Sequence, residues 1–195
     1  MFSLCPLILC LSFVGTVLSE KPIIYNDLPC KFSLAAHNVT RHNVNSTGLP
    51  LVLGQYGASD GASFEVTSTY ASYPYNLYPT IALSNGSLRA YRASGAWLTN
   101  ATAVASGGPL LWFTSALFNH DAARVYNAVQ CPGAALPVLA TNGATDRWSL
   151  CPFNLTGQTN IVFNVSGSAA EYKLGFDPRE CWKVAIHLVP LEGEC

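Results

Sequence analysis

The chain has 195 residues, of which 10 are Lys or Arg and 11 are Asp or Glu, so its formal net charge is −1. Charged residues make up only 11% of the sequence, and the basic ones occur singly. This composition excludes a basic surface for nucleic acid or anionic lipid, because such surfaces need clustered Lys and Arg.

The first nineteen residues, MFSLCPLILCLSFVGTVLS, carry no charged side chain and include an apolar run from Leu4 to Val17. Such a run, closed by small residues, is typical of a secretory signal peptide, and we expect cleavage near Ser19 and Glu20. A membrane anchor formed by the same stretch is the alternative. No later segment is apolar for long enough to span a bilayer, so we expect one secreted domain over residues 20–195, with no membrane contact after cleavage.

Strand patterns fill the rest of the chain, since Gly, Pro, Asn, Ser and Thr interrupt each segment before a helical period is established. Short runs rich in β-branched and aromatic residues are predicted as eleven strands: 31–36, 49–55, 63–67, 79–83, 87–92, 110–114, 124–129, 137–140, 147–151, 160–165 and 182–189. Their spacing favours an all-β domain of about 10 to 12 short antiparallel strands. Two architectures fit: a β-sandwich, or a β-trefoil-like barrel suggested by loosely similar stretches near 30–80, 81–135 and 136–190.

The clearest local unit is PTIALSNGSLRAYR, in which Asn85-Gly86 lies between two alternating apolar segments. Asn-Gly supplies the two residues with positive φ that a tight hairpin turn requires, so this segment is predicted as a hairpin. Asn142-Gly143 predicts a second one. The uninterrupted apolar run PLLWFT is typical of a strand that is buried on both faces.

Residues 57–61 read GASDG and match the Gly-x-Ser-x-Gly pattern of esterases, which would make Ser59 a nucleophile. The chain even offers the order Ser59, Asp121, His187. The esterase fold needs a helix directly after the serine, however, whereas ASFEVTSTY alternates like a strand. We therefore interpret the motif as a glycine-flanked turn and predict no catalytic residue.

Other side chains that could carry chemistry show no productive spacing. A pair of carboxylates could act as acid and base in glycoside hydrolysis, and the candidates are Asp60, Glu65, Asp121 and Asp146. No local feature predicts a raised pKa for any of them. The histidines, His37, His42, His120 and His187, lack metal-ligand spacing. The sequence thus predicts no metal, no cofactor and no enzymatic activity.

Six asparagines are followed at the second position by Ser or Thr without an intervening Pro, as N-glycosylation requires. They are Asn38, Asn45, Asn85, Asn100, Asn154 and Asn164. In a chain with a signal peptide, we expect at least two of them to carry glycans. Glycans would supply the solubility that the sparse charge does not.

The secreted part contains an odd number of cysteines, namely Cys30, Cys131, Cys151, Cys181 and Cys195. In an oxidising compartment this predicts two disulfides and one remaining cysteine, and the spacings leave all fifteen pairings open. Cys195 is a candidate for a bond to another chain.

The segment TYASYPYNLYPT places four tyrosines among prolines, namely Tyr70, Tyr73, Tyr75 and Tyr78. Exposed tyrosines on a stiff loop can stack on sugar rings at small entropic cost, which makes this loop a candidate carbohydrate-binding surface. The alternative is that the rings cover one end of the fold.

Five short motifs are spread over most of the secreted part: CKFSLAAHN, LPLVLG, TIALSNGSLRAY, WSLCPFN and CWKVAIHLVP. Together they resemble the fungal cell-wall proteins associated with phialide development, the PhiA-like secreted family. The resemblance implies a secreted glycoprotein of the fungal wall without an enzymatic role, and it makes Cys151 and Cys181 structural. The segment HDAARVYNAVQCPGAALPVLATNGATD with its Cys131 departs from the family pattern. Wall polysaccharide or other wall proteins are the expected partners, and a carbohydrate-binding module or a small secreted hydrolase are the alternatives.

Overall fold

The computed structural model describes residues 21–118 and 122–191, so the predicted signal peptide lies outside the described residues. The described part is almost entirely β-structure, which confirms the all-β prediction. Its strands are β1 (Ile23–Tyr25), β2 (Phe32–Asn38), β3 (Leu49–Ser59), β4 (Ala62–Thr69), β5 (Thr80–Ser84), β6 (Ser87–Tyr91), β7 (Trp97–Ala101), β8 (Leu111–Ser115), β9 (Tyr126–Gln130), β10 (Val138–Thr141), β11 (Trp148–Pro152), β12 (Thr159–Phe163) and β13 (Trp182–Pro190). A short helix α1 (Ala169–Lys173) and a 3-10 turn (Pro178–Glu180) precede β13.

The strands form one antiparallel sheet that closes into a barrel. Around the ring, each strand is hydrogen-bonded to the next in the order β2, β5, β6, β7, β8, β4, β12, β11 and β13, and β13 pairs with β2. Strand β3 pairs with both β2 and β4, whereas β10, β9 and β1 extend the sheet from β13. The chain therefore adopts a closed barrel with additional strands.

The three loosely similar stretches of the sequence contribute different sets of strands to this barrel. Residues 81–135 supply a meander from β5 to β8 in which neighbours in the chain are neighbours in the sheet. In residues 136–190, β13 pairs with both β10 and β11 along one of its edges. Along its other edge β13 pairs with β2, which comes from the first stretch. The order of the described strands thus does not repeat from one stretch to the next.

Both Asn-Gly dipeptides form turns, but only Asn85-Gly86 forms the predicted hairpin, between β5 and β6. At Asn142-Gly143 a single Thr141–Ala144 bridge closes the turn, and β10 and β11 then pair with other strands. Asn85 and Gly86 have φ values of 49° and 74°, and Asn142 and Gly143 have φ values of 50° and 76°. Glycine carries no steric penalty in this left-handed region, and asparagine tolerates it better than most residues. The turn at Asn85 is held further by its backbone N–H, which donates to the Asp27 carboxylate at 2.7 Å.

Large aromatic side chains fill the barrel, and their polar atoms have partners. The indole N–H of Trp112 donates to the Thr67 hydroxyl at 2.8 Å, and that of Trp148 donates to the Leu139 carbonyl at 3.0 Å. The Tyr126 hydroxyl donates to a backbone carbonyl, and burial raises the pKa of Tyr126 above its usual value. These partners remove the cost of burying unsatisfied donors.

The apolar run PLLWFT does not form a strand buried on both faces, which corrects the prediction for it. Strand β8 alternates between buried residues such as Trp112 and half-buried ones such as Phe113. The physical reason is that β8 lies in the barrel wall, between β7 and β4, with one face inward. On its outer face Phe113 packs against Phe64, with ring centroids 5.3 Å apart.

A disulfide joins Cys151 on β11 to Cys181 after the 3-10 turn. It lies in a small apolar cluster that includes Phe153 and Phe176. Cys30 is also disulfide-bonded. Cys131 is half-buried and does not take part in the Cys151–Cys181 bond. Cys195 lies outside the described residues. The first disulfide ties the loop that contains α1 to the barrel wall.

Removing the Cys151–Cys181 bond should destabilise the fold. The bond closes a loop of 30 residues, and loop entropy predicts that a Cys151→Ala/Cys181→Ala double variant loses about 3 to 4 kcal/mol in the free energy of unfolding. Urea denaturation of the secreted protein measures this, with Cys131→Ala as the control for a cysteine substitution outside the Cys151–Cys181 bond. Equal stability of the double variant and the unmodified protein would contradict the expectation.

Candidate functional site

The Gly-x-Ser-x-Gly motif forms the tip of a hairpin. Strand β3 ends at Ser59, β4 begins at Ala62, and Asp60 with Gly61 forms the connection, Gly61 having a φ of 78°. A nucleophile elbow requires a helix after the serine, and here a strand follows. Asp121, which completes the order Ser59, Asp121, His187, lies outside the described residues. The segment therefore has the geometry of a turn, as predicted.

The carboxylates singled out in the sequence lie on separate elements. Asp60 is exposed at the hairpin tip, and Asp146 is exposed between β10 and β11. Glu65 is buried on β4, where its carboxylate accepts hydrogen bonds from the Ser63 hydroxyl at 2.6 Å and the Thr114 hydroxyl at 2.8 Å. These hydroxyls give Glu65 a structural role in the barrel wall.

Two histidines that are 150 positions apart stack on each other where β2 pairs with β13. The rings of His37 and His187 have centroids 4.8 Å apart and an interplanar angle of 30°. Nδ1 of His187 lies 2.9 Å from the Thr47 carbonyl, so Nδ1 carries the proton and donates it. Burial lowers the pKa of His187 below its usual value; the Thr47 carbonyl acts in the opposite direction, and His37 in the same one. The His187 ring is therefore favoured in the neutral form.

The tyrosine loop, residues 70–79, presents three of its four tyrosines on the surface. Tyr70 and Tyr75 are exposed and Tyr73 is half-buried. The rings of Tyr73 and Tyr75 meet edge to face, with centroids 5.2 Å apart. The loop thus offers two touching aromatic rings and a third exposed one.

Hydrogen bonds at the start of this loop fix its path. The Thr69 carbonyl accepts from the backbone N–H groups of both Ser72 and Tyr73, each at 3.1 Å. The Ser72 hydroxyl lies 2.9 Å from the Thr69 hydroxyl and also accepts from the Thr159 N–H at 2.9 Å. Because β4 and β12 both hold the loop, the surface rings start from a fixed backbone.

Tyr78, the fourth tyrosine of the predicted sugar-stacking set, is not on the surface. Its side chain is only 6% exposed, and its hydroxyl lies 3.5 Å from the Thr114 hydroxyl inside the barrel. The Arg92 guanidinium lies over the ring, 5.8 Å from its centroid. The apolar face of Tyr78 is therefore packed in the core, where no sugar can reach it, and the candidate surface comprises Tyr70, Tyr73 and Tyr75.

None of the six sequon asparagines is buried, and all six lie in the described part of the chain. Three are exposed, namely Asn45, Asn85 and Asn154, and three are half-buried, namely Asn38, Asn100 and Asn164. The side-chain oxygen of Asn45 accepts from the Gly48 N–H at 2.7 Å and from the Thr47 hydroxyl at 3.1 Å. These hydrogen bonds engage only the side-chain oxygen of Asn45. The side-chain nitrogen, which is the atom that carries an N-glycan, takes no part in them.

A groove with a volume of about 1080 Å³ lies between β1, β9 and the turn that joins β10 to β11. Its floor consists of buried apolar side chains, Val104, Val129 and Phe163, and Ile24 forms part of the wall. Its polar lining comprises Ser106, Asn142, Thr145, Asp146, Arg147 and Asn164. No sequence pattern marked this groove, because its residues come from five separate segments.

No protein-family model, curated protein or solved structure matches this chain. The resemblance to phialide-associated wall proteins therefore stays a prediction. None of the helices formed by residues 21–118 and 122–191 has the length and apolar character needed to cross a bilayer. Within the same residues, no three or more His, Cys, Asp or Glu side chains are grouped to hold a metal ion.

The histidine stack should make stability depend on pH. The pKa of His187 is lower in the folded protein than in the unfolded chain, so the unfolded chain binds the proton more readily. The free energy of unfolding therefore decreases as the pH falls from the usual histidine pKa of about 6.5 towards the lower pKa of the folded protein. We expect urea denaturation to show a smaller loss of stability between about pH 7.5 and pH 5 in His187→Gln than in the unmodified protein. His42→Gln, at an exposed position, is the control. An unchanged loss in His187→Gln would contradict the expectation.

Proposed function

We propose that the chain is a secreted, N-glycosylated, disulfide-stabilised protein that acts at the cell wall or cell surface through structural contacts or binding, without catalysis. The observation that carries the proposal is the placement of the six sequon asparagines, none of which is buried. All six acceptors are therefore placed where a glycan can be accommodated, and the one buried asparagine among the described residues, Asn160 on β12, is not part of a sequon. Acceptor sites have to tolerate a bulky polar addition, so they belong on the surface.

Two further features support an oxidising destination. The Cys151–Cys181 disulfide and the bonded Cys30 are typical of secreted proteins, since thiols stay reduced in the cytosol. The surface also has few charges, with 11% charged residues in the whole chain. Glycans supply the hydration that charge provides in most soluble proteins. The resemblance to phialide-associated proteins favours the fungal wall as the place of action.

Expression of the full chain, including residues 1–19, in a eukaryotic host tests this proposal. We expect the protein in the medium or wall fraction, with at least two sequons occupied, because the acceptors are accessible on the folded surface. Intact-protein mass before and after glycosidase treatment measures the occupancy. An intracellular protein without glycans would refute both the compartment and the function based on it.

A second candidate function, carbohydrate binding, is favoured by the tyrosine loop. Tyr73 and Tyr75 form an edge-to-face pair at the surface, and Tyr70 in the same loop is 47% exposed. Aromatic rings fixed in this way bind the apolar face of a sugar with little loss of side-chain entropy. The neighbouring Leu77 is 63% exposed, which extends the apolar contact area.

Wall-polysaccharide pull-down tests this second function. We expect Tyr73→Ala/Tyr75→Ala to reduce binding by at least tenfold, since each buried ring contributes on the order of 1 kcal/mol or more. Tyr172→Ala is the matched control, because Tyr172 is 46% exposed and lies on α1, outside the loop. Binding that is absent, or equal in the loop variant and the unmodified protein, would exclude the tyrosine loop as a sugar site.

A further inference from the structure

Asn164 is the one sequon asparagine that lines the large groove. We propose that the N-glycan carried by Asn164 lies along this groove and covers its apolar floor, so that the groove is a binding site for the protein's own saccharide. The proposal rests on the proposed function in one respect, namely that the chain is N-glycosylated. It adds a specific resting place for one glycan.

The backbone and side chain of Asn164 are both fixed at the groove wall. The residue follows β12 with a φ of 50°, and its N–H donates to the Arg147 carbonyl at 2.6 Å. Its side-chain Nδ2 donates to the Ser106 hydroxyl at 2.5 Å. That hydroxyl lies 3.3 Å from the Asn164 carbonyl as well. A sugar attached to Nδ2 therefore starts between two walls of the groove.

The starting point of this glycan differs from that of the exposed sequons. Asn45, Asn85 and Asn154 are exposed, so their glycans can leave the protein directly, whereas Asn164 is half-buried. Asn38 and Asn100 are half-buried too, but only Asn164 lines the groove, so only its glycan starts beside this apolar floor. The open volume beside Asn164 is the groove.

The lining of the groove suits an N-acetylglucosamine-based core. Val104, Val129 and Phe163 offer an apolar floor for the acetamido methyl group and the C–H face of a sugar ring. Asn142 and Thr145 offer hydrogen-bonding groups for hydroxyls at the rim. A volume of about 1080 Å³ is at the upper end of ordinary ligand sites, which leaves room for more than one sugar.

Attachment of the glycan is compatible with these contacts. The sugar comes from a lipid-linked diphosphate donor, the bond from its C1 to the diphosphate breaks, and a bond from C1 to Nδ2 forms as Nδ2 loses one proton. The second Nδ2 proton stays on the nitrogen, so a donor for the Ser106 hydroxyl is retained. Transfer to the chain before it folds avoids any hindrance from the half-burial of Asn164.

Ser166→Ala is a clean way to remove this glycan. It deletes the hydroxyl that the sequon requires and keeps Asn164, whose positive φ a substitution would strain. The Ser166 N–H continues to donate to Glu171, and only a 3.3 Å hydroxyl contact is lost. Thr156→Ala, which removes the sequon of the exposed Asn154, is the matched control.

The test combines glycopeptide mass spectrometry with hydrogen–deuterium exchange on the secreted full chain. We expect Asn164 to be occupied, and the backbone amides of 104–107 and 142–147 to exchange several-fold faster in Ser166→Ala than in the unmodified protein. Thr156→Ala should leave these amides unchanged. When both chains are made without N-glycosylation, the unmodified protein and Ser166→Ala should exchange equally.

Four results would overturn the proposal. If Asn164 is unoccupied while other sequons are occupied, the groove inference fails and the proposed function stands; if no sequon is occupied, both fail. If Asn164 is occupied and exchange in the groove does not change, the glycan points into solvent. If the two unglycosylated chains already differ, the effect comes from the lost hydroxyl and not from the sugar.

Discussion

The pairing of β2 with β13 is the contact on which the barrel depends. It runs over seven residue pairs, from Val184 opposite Asn38 to Pro190 opposite Phe32. The two strands lie about 150 positions apart in the chain, so the loop-closure entropy has to be offset by what the closed barrel buries. Inward residues of both strands, such as Leu34 on β2 and Ile186 on β13, supply that burial. Without this pairing the sheet would have two additional open edges.

Closure of the barrel also determines which parts of the protein are available to bind a ligand. Trp112, Trp148 and Tyr126 are fully buried in the barrel, and their polar atoms are satisfied by neighbouring hydroxyl or carbonyl groups. The cavity beside Tyr78 has a volume of about 10 Å³, which is room for roughly one water molecule. A packed interior of this kind leaves recognition to the outer surface, where the tyrosine loop and the groove lie.

The sequence predicted the features that depend on neighbouring residues. Asn85-Gly86 and Asn142-Gly143 both form turns because positive φ is a local requirement, and the strand after Ser59 follows from local alternation. Only the first turn joins two paired strands, because the partners of β10 and β11 are set by distant segments. The three-residue β1 and the five-residue β7 were missed, since neither has a sustained alternating pattern. The burial of Tyr78, the His37–His187 stack and the groove depend on contacts between distant segments, which no local pattern reveals.

The distribution of sequons distinguishes the two candidate surfaces. Between Asn45 and Asn85 the sequence contains no acceptor, so the tyrosine loop lies in a long stretch that cannot be glycosylated. The groove, in contrast, has an acceptor in its wall at Asn164. On the proposed glycosylation, the glycan on Asn164 covers the apolar floor of the groove, whereas no acceptor lies within the tyrosine loop itself. Apolar rings that carry no sugar of their own can contact an external partner. On these two proposals the groove is occupied by the protein's own saccharide, and the tyrosine loop is the surface left for an external ligand.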